Sequence, residues 1–168
     1  MTIRERVTFR PETEDDAEFL YRIYAGTREQ EMRMVDWPDE QKDEFLRSQF
    51  HAQTLHYKNN YIDAEYSIIL VDGQPAGRLY LHQDPGDLRI MEISLIPEHR
   101  GSGIGTLLLR EIMDRAAAAG HIVSIHVEQF NPALRLYERL GFKAVDTNGV
   151  YYLLQWGGTE QPQEAIAP

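Results

Sequence analysis

The chain has 168 residues, is 42% hydrophobic and carries a formal charge of −10 at pH 7, which suits one domain with a real core. That charge argues against broad nucleic-acid binding, which needs clustered Lys and Arg, and the absence of cysteine removes a disulfide frame, a thiolate metal site and a thiol nucleophile. No run is long enough to span a membrane and the first residues lack the apolar stretch of a signal peptide, so a soluble, cytoplasmic protein is expected.

In chain order, residues 7–10 read as a first strand. Thr13 with Asp16 three positions on has capping-box spacing and opens a helix whose stripe is Phe19, Leu20, Ile23 and Tyr24, ending at Gly26. Residues 29–38 have no clear period but hold Met32, Met34, Val35 and Trp37. This irregular apolar link is either core packing or a substrate-side wall that includes Trp37, and a second helix starts at Asp39. Acidic residues crowd 12–18 and 36–44; such runs attract cationic ligands or, more commonly, form solvated helix faces.

From residue 65 the pattern becomes β-rich. Residues 66–71 and 76–82 flank Asp72-Gly73, a strong hairpin signal, and Asp84-Pro85-Gly86-Asp87 turns the chain into a third strand over 88–96. A helix follows with Leu107, Leu108, Ile112, Met113 and Ala116 at helical spacing and Gly120 as its stop, then a strand over 122–127. Asn131-Pro132 reads as cap and first position of another helix, closed by Gly141. Strands over 142–145 and 150–156 surround Asn148-Gly149. The strand at 151–156 offers an edge for a homodimer, with core packing as the other reading. One domain over 1–156 and a loose tail over 157–168 are expected. The third strand and the strand from Ile122, joined through a helix, should run parallel.

Between that third strand and its helix lies Arg100-Gly101-Ser102-Gly103-Ile104-Gly105-Thr106. Glycines at a strand-to-helix junction let the backbone approach an anion, and the free amides of the helix's first turn suit a pyrophosphate. A dinucleotide fingerprint would sit on the first strand of a repeated βαβ pattern, whereas a meander precedes this stretch. A triphosphate loop would end in Gly-Lys-Ser/Thr, and here Thr106 follows Gly105 directly.

Residues 95–108, Leu-Ile-Pro-Glu-His-Arg-Gly-Ser-Gly-Ile-Gly-Thr-Leu-Leu, resemble the acyl-CoA signature of the GNAT superfamily of N-acyltransferases. Residues 131–142, Asn-Pro-Ala-Leu-Arg-Leu-Tyr-Glu-Arg-Leu-Gly-Phe, resemble its companion segment, and the likeness covers about 68–145. It implies an α/β (α+β) fold, a mixed, mostly antiparallel central sheet of about six or seven strands flanked by about four helices. It also implies acetyl-CoA as acyl donor and a primary amine, on a small molecule or a protein, as acceptor. In such enzymes the backbone at Leu95 and Ile96 pairs with the pantetheine arm, and the amides from Arg100 through Gly101, Ser102, Gly103, Ile104 and Gly105 to Thr106 hold the pyrophosphate. The resemblance further places Asn131 near the pantetheine and makes Tyr137 the acid that protonates the departing thiolate, a role a phenol with an ordinary pKa near 10 can fill.

An ammonium acceptor must lose a proton before attack, and Glu92 is the nearest carboxylate by chain position, so it is the candidate base. A structural strand carboxylate is the other reading. In many relatives an acidic residue stands where this chain has Arg89, which leaves Arg89 a reading in which it grips a substrate carboxylate. Period-2 alternation puts Glu92 and Ser94 on the face opposite Arg89, unless a bulge reverses the register. The six histidines show no metal spacing, and no metal is expected. Transfer by direct attack in a ternary complex is the expected activity; a non-catalytic acyl-CoA-binding module is the alternative.

Overall fold

Turns made by residues with positive φ organise the strands. In the computed structural model, which describes residues 2–157, β2 (Glu65–Val71) and β3 (Gln74–Asp84) are joined through Asp72 (φ 53°) and Gly73 (φ 81°), the left-handed pair that a tight two-residue hairpin requires. Gly86 (φ 70°) turns β3 into β4 (Asp87–Leu95), and Gly149 (φ 64°) joins β6 (Lys143–Asn148) to β7 (Tyr151–Trp156). With β1 (Val7–Pro11) and β5 (Ile122–Glu128) the strands form one mixed sheet in the order β1-β2-β3-β4-β5-β7-β6. Of the pairs whose registers are defined, β4 with β5 is parallel, as the connecting helix demands, and β1–β2, β5–β7 and β6–β7 are antiparallel.

The described residues carry six α-helices: α1 (Ile3–Arg6), α2 (Ala17–Thr27), α3 (Glu29–Arg33), α4 (Asp39–Asn60), α5 (Ile104–Ala118) and α6 (Leu134–Arg139). The two beyond the expected four are short, α1 and α3. Contacts divide the chain into two units, one of residues 1–80 and 93–100, the other of residues 81–92 and 101–168. Strands β3 and β4 each run through both.

In the first unit, Val7 pairs with Val71 and Pro11 with Ser67 along β1 and β2. Asp16 closes the turn before α2: its carboxylate accepts from the Thr13 N–H at 2.8 Å and takes both Arg10 Nη groups at 2.8 Å. Helix α2 passes through Gly26 to Thr27, one residue past its expected end, because the backbone there keeps helical geometry and a glycine inside a final turn costs only about 1 kcal/mol. The link at 29–38 is not irregular throughout. It holds α3, whose Met32 is buried with Tyr21, Tyr24 and Leu46, and Val35 packs against that cluster. Its core-packing reading therefore holds for Met32 and Val35. Further on, Arg78 of β3 is buried to 1% exposure, with its guanidinium 5.0 Å over the Tyr80 ring and 3.4 Å from Gln53 Oε1.

The Arg10–Asp16 pair has a consequence for acid stability. Hydrogen bonding from Arg10, opposed by burial and reinforced by the Thr13 amide, brings the Asp16 carboxyl from 3.8 down to about 2. A depressed folded-state pKa contributes stability that is complete above 3.8 and is lost as pH falls through about 2. Asp16→Asn, which has no titrating group in that window, is expected to show a flatter dependence of stability on pH there, measured by denaturant unfolding at successive acid pH values.

In the second unit, α5 buries Ile104, Leu108, Leu109, Ile112, Met113 and Ala116 and packs on β5. Its stop is as expected, with Gly120 at φ 74°. Helix α6 begins at Leu134, later than Asn131-Pro132 suggested. Asn131 Oδ1 accepts from the Ala133 N–H at 2.8 Å, so the asparagine caps a turn that precedes the helix. Strand β7 lies between β5 and β6, with both edges paired; the expected free edge at 151–156 is a correction, since β6 takes the outer position and all its residues are exposed. The tail beyond Gly157 lies outside the described residues.

Candidate active site

The glycine stretch opens α5 with a residue that has no side chain to cap it. Gly101 (φ 72°) and Gly103 (φ 89°) take conformations that disfavour any side chain, and a Cβ on Gly101 or Gly105 would meet nothing within 4 Å. Gly103 stands at the N-cap with no side-chain hydrogen bond, no acidic residue lies in the first turn, and the first intrahelical bond runs from the Leu107 N–H to the Gly103 carbonyl. The amides of Ile104, Gly105 and Thr106 thus lack intrahelical acceptors, with the helix dipole behind them. An open backbone cradle with this polarity fits an anionic phosphate, and so fits the pyrophosphate of coenzyme A.

Tyr137 is buried to 5% exposure, its ring edge-on to Phe142 at 5.5 Å. Burial is the main cause that pushes its phenol up to about 12, with smaller contributions from Glu128 and then Glu92. This group stays protonated across the physiological range. The second unit therefore brings together two of the expected residues, Tyr137 and Glu92, and adds Glu128, which was not singled out. Glu128 Oε1 accepts from Asn131 Nδ2 at 2.9 Å, so one carboxylate both braces the asparagine turn and acts on the phenol. Only its position on the face of β5 shared with Ser124 and His126 hinted at it.

Arg89 is held within its own unit. Its Nε donates to Ser124 Oγ at 2.7 Å, Nη1 lies 3.1 Å from His126 Nδ1, and Nη2 is 3.8 Å from Asp87 Oδ2. Ser124, fully buried, donates in turn to the Asp87 carboxylate at 2.7–2.8 Å. Burial and then the Arg89 charge lower the His126 pKa, only partly offset by Asp146. An arginine committed to this chain of partners is less available to grip a substrate carboxylate than the sequence suggested.

In the first unit, the Ile96 N–H donates to the Ala76 carbonyl at 2.8 Å, whereas the Leu95 carbonyl accepts from Arg100 Nε at 2.9 Å. Successive residues of an extended chain present their backbone groups to opposite edges, so Leu95 and Ile96 do not face the same partner. Trp37 stacks edge-on against Phe45 at 5.5 Å and stays partly exposed. Among the described residues no group of His, Asp and Glu could hold a metal ion, and no helix is long and apolar enough to cross a membrane.

A profile of the Acetyltransferase (GNAT) family matches residues 17–142, and the chain belongs to that family. The chain is 33% identical over 104 residues to N-alpha-acetyltransferase RimI of Mycobacterium tuberculosis, an alignment covering 61% of this chain and 64% of that one. It is 35% identical over 92 residues to the probable N-acetyltransferase san of Drosophila melanogaster, covering 53% and 50%. It spans about half to just under two-thirds of the length of these curated relatives. Among solved structures, the PaiA N-acetyltransferase of Thermoplasma acidophilum, crystallised with coenzyme A, superimposes with a TM-score of 0.68 at 18% identity over 89% of this chain and 98% of that one. At that identity the likeness concerns the fold.

Proposed function

We propose that residues 1–156 form one acetyltransferase domain that moves an acetyl group from acetyl-CoA to a primary amine by direct attack. The observation that carries this is the buried Tyr137, whose phenol burial and then Glu128 and Glu92 push up to about 12, in the unit that also holds the glycine entry of α5. Acetyl-CoA supplies an acyl group activated as a thioester. The chain's own residues do the rest. Amides 101–106 and Arg100 hold the pyrophosphate, the Leu95 backbone and Asn131 orient the pantetheine arm, and Tyr137 Oη–H gives its proton to the departing sulfur as the C–N bond forms and the C–S bond breaks. Glu92 takes the proton that the ammonium must shed before attack, and Arg89 and Trp37 border the acceptor. The absence of cysteine favours direct attack over a thioester route through the protein.

The acceptor class follows the relatives, some named for protein N-termini and others, such as the streptothricin acetyltransferase of Streptomyces lavendulae, for small molecules. A cytoplasmic location and pairing of two copies through the exposed edge of β6 complete the reading.

The test is thiol release from acetyl-CoA against a panel of peptide α-amines, lysine side chains and small polyamines. Turnover on at least one class, with acetylated product seen by mass spectrometry, is expected. Tight CoA binding with no turnover on any amine would instead establish the acyl-CoA-binding module.

A further inference from the structure

We propose that Arg22, on α2, is a phosphate-binding residue that works with Arg100, and that the cavity the two line receives a phosphate group of the acyl-CoA. The proposal rests on the acyl-CoA reading of the site and names a group on a helix outside both signature segments.

The first unit contains a cavity of about 280 Å³ lined by Phe19, Arg22, Ile23 and Gly26 of α2 together with residues 95–98 and Arg100. Arg22 and Gly26 are one helical turn apart, so they share a face, and a Cβ on Gly26 would meet nothing within 4 Å. The wall beside Arg22 therefore stays low and open. Phe19 and Ile23 supply an apolar flank that lowers the local dielectric and strengthens any charge contact made there.

Neighbouring arginines are already committed. Arg28 is paired with Glu31 at 2.6 Å, Arg47 with Glu18 at 3.1 Å and Asp43 at 2.9 Å, and Arg10 with Asp16. Arg22 differs from them: its charge is felt by Glu18 one turn earlier, but Glu18 is bound by Arg47. Arg22 is exposed and lines the cavity.

Arg100, on the same cavity, is fixed through its Nε by the Leu95 carbonyl, which leaves its Nη groups for a ligand. Glu98 is the carboxylate on this rim, and two guanidiniums outweigh it. A planar guanidinium matches the oxygens of a phosphate in bidentate fashion, and two guanidinium side chains on one cavity suit a phosphate ester better than a carboxylate of one charge.

The test compares wild type and Arg22→Gln by titration calorimetry with CoA and with 3′-dephospho-CoA at low and high salt. The variant is expected to bind CoA about ten- to a hundredfold more weakly at low salt, the size of one lost charge-assisted hydrogen bond. That gap should narrow as salt is added, and Arg22→Lys should recover part of it. If the gap persists with dephospho-CoA, the pyrophosphate is the group held; if it vanishes, the 3′-phosphate is. Either result supports the proposal. Equal CoA affinity of wild type and Arg22→Gln, or a gap indifferent to salt, would overturn it. Absence of CoA binding by the wild type would overturn the acyl-CoA reading itself. Because Arg22 is exposed, unchanged thermal stability of the variant is expected and separates lost binding from lost fold.

Discussion

Tyr137→Phe is expected to lower kcat by about 10²–10⁴-fold while leaving the affinity for CoA and the thermal stability near wild type. The ring stays, and with it the edge contact to Phe142; only the hydroxyl that we propose protonates the leaving sulfur is removed. Burial next to Glu128 and Glu92 places the phenol at about 12, so in the wild type no alkaline fall of kcat due to this group should appear at or below pH 10, the ordinary phenol value. Steady-state kinetics across pH, with CoA affinity measured in parallel, checks both statements. A kcat within twofold of wild type would remove Tyr137 from the chemistry and return it to the core as a packing aromatic.

Gly77→Ala should be the most damaging single methyl in the first unit. Gly77 does not have a positive φ, so its role is not conformational freedom. A Cβ placed there would sit 2.1 Å from the Ser94 carbonyl oxygen and 3.1 Å from Leu95 Cα, and neither is a side chain that can swing aside. The end of β4 would have to move, at a cost near the top of the usual overpacking range, about 3 kcal/mol, or roughly 6–12 °C in Tm for a chain of this size. The segment displaced is Ser94 to Ile96, which carries the Leu95 backbone and the Arg100 anchor. Thermal unfolding and CoA titration should therefore both suffer, in contrast to Tyr137→Phe. Wild-type stability in Gly77→Ala would mean that β3 and β4 are not held this closely.

The strands and their turns were legible because Asp72-Gly73, Gly86 and Gly149 each occupy a left-handed position that few other residues tolerate. The parallel partner of β4 followed from the helix between it and β5. Element ends were less so. Asn131-Pro132 signals a capped helix and a capped turn with equal force, and only the hydrogen bond from Ala133 decides for the turn. The brief α3 has too few residues to display a period, and β7 reads as an edge from its aromatic pattern although β6, polar and short, takes that place.

Within the proposed site, the glycines, Asn131 and Tyr137 were visible because each lies in a contiguous signature. Glu128 was not, since strand alternation assigns it a face but not a neighbour. The restraint on Arg89 also escaped notice, because Asp87, Ser124 and His126 converge on it from two strands more than thirty positions apart. Arg22 belongs to no motif; it stands out only once the partners of the other arginines are known.

The bare entry to α5 has a bearing on the life of the protein in a cell. A glycine N-cap offers no side-chain oxygen to the first-turn amides, and an anion arriving there supplies the acceptor that Gly103 lacks. Whatever binds the folded chain and not the unfolded one raises its stability in proportion to the logarithm of ligand concentration over Kd. On the proposed function, the supply of acyl donor would then set more than the turnover rate. It would also set the fraction of molecules unfolded at any moment and exposed to proteolysis, so that a starved cell would clear this protein faster than a well-fed one.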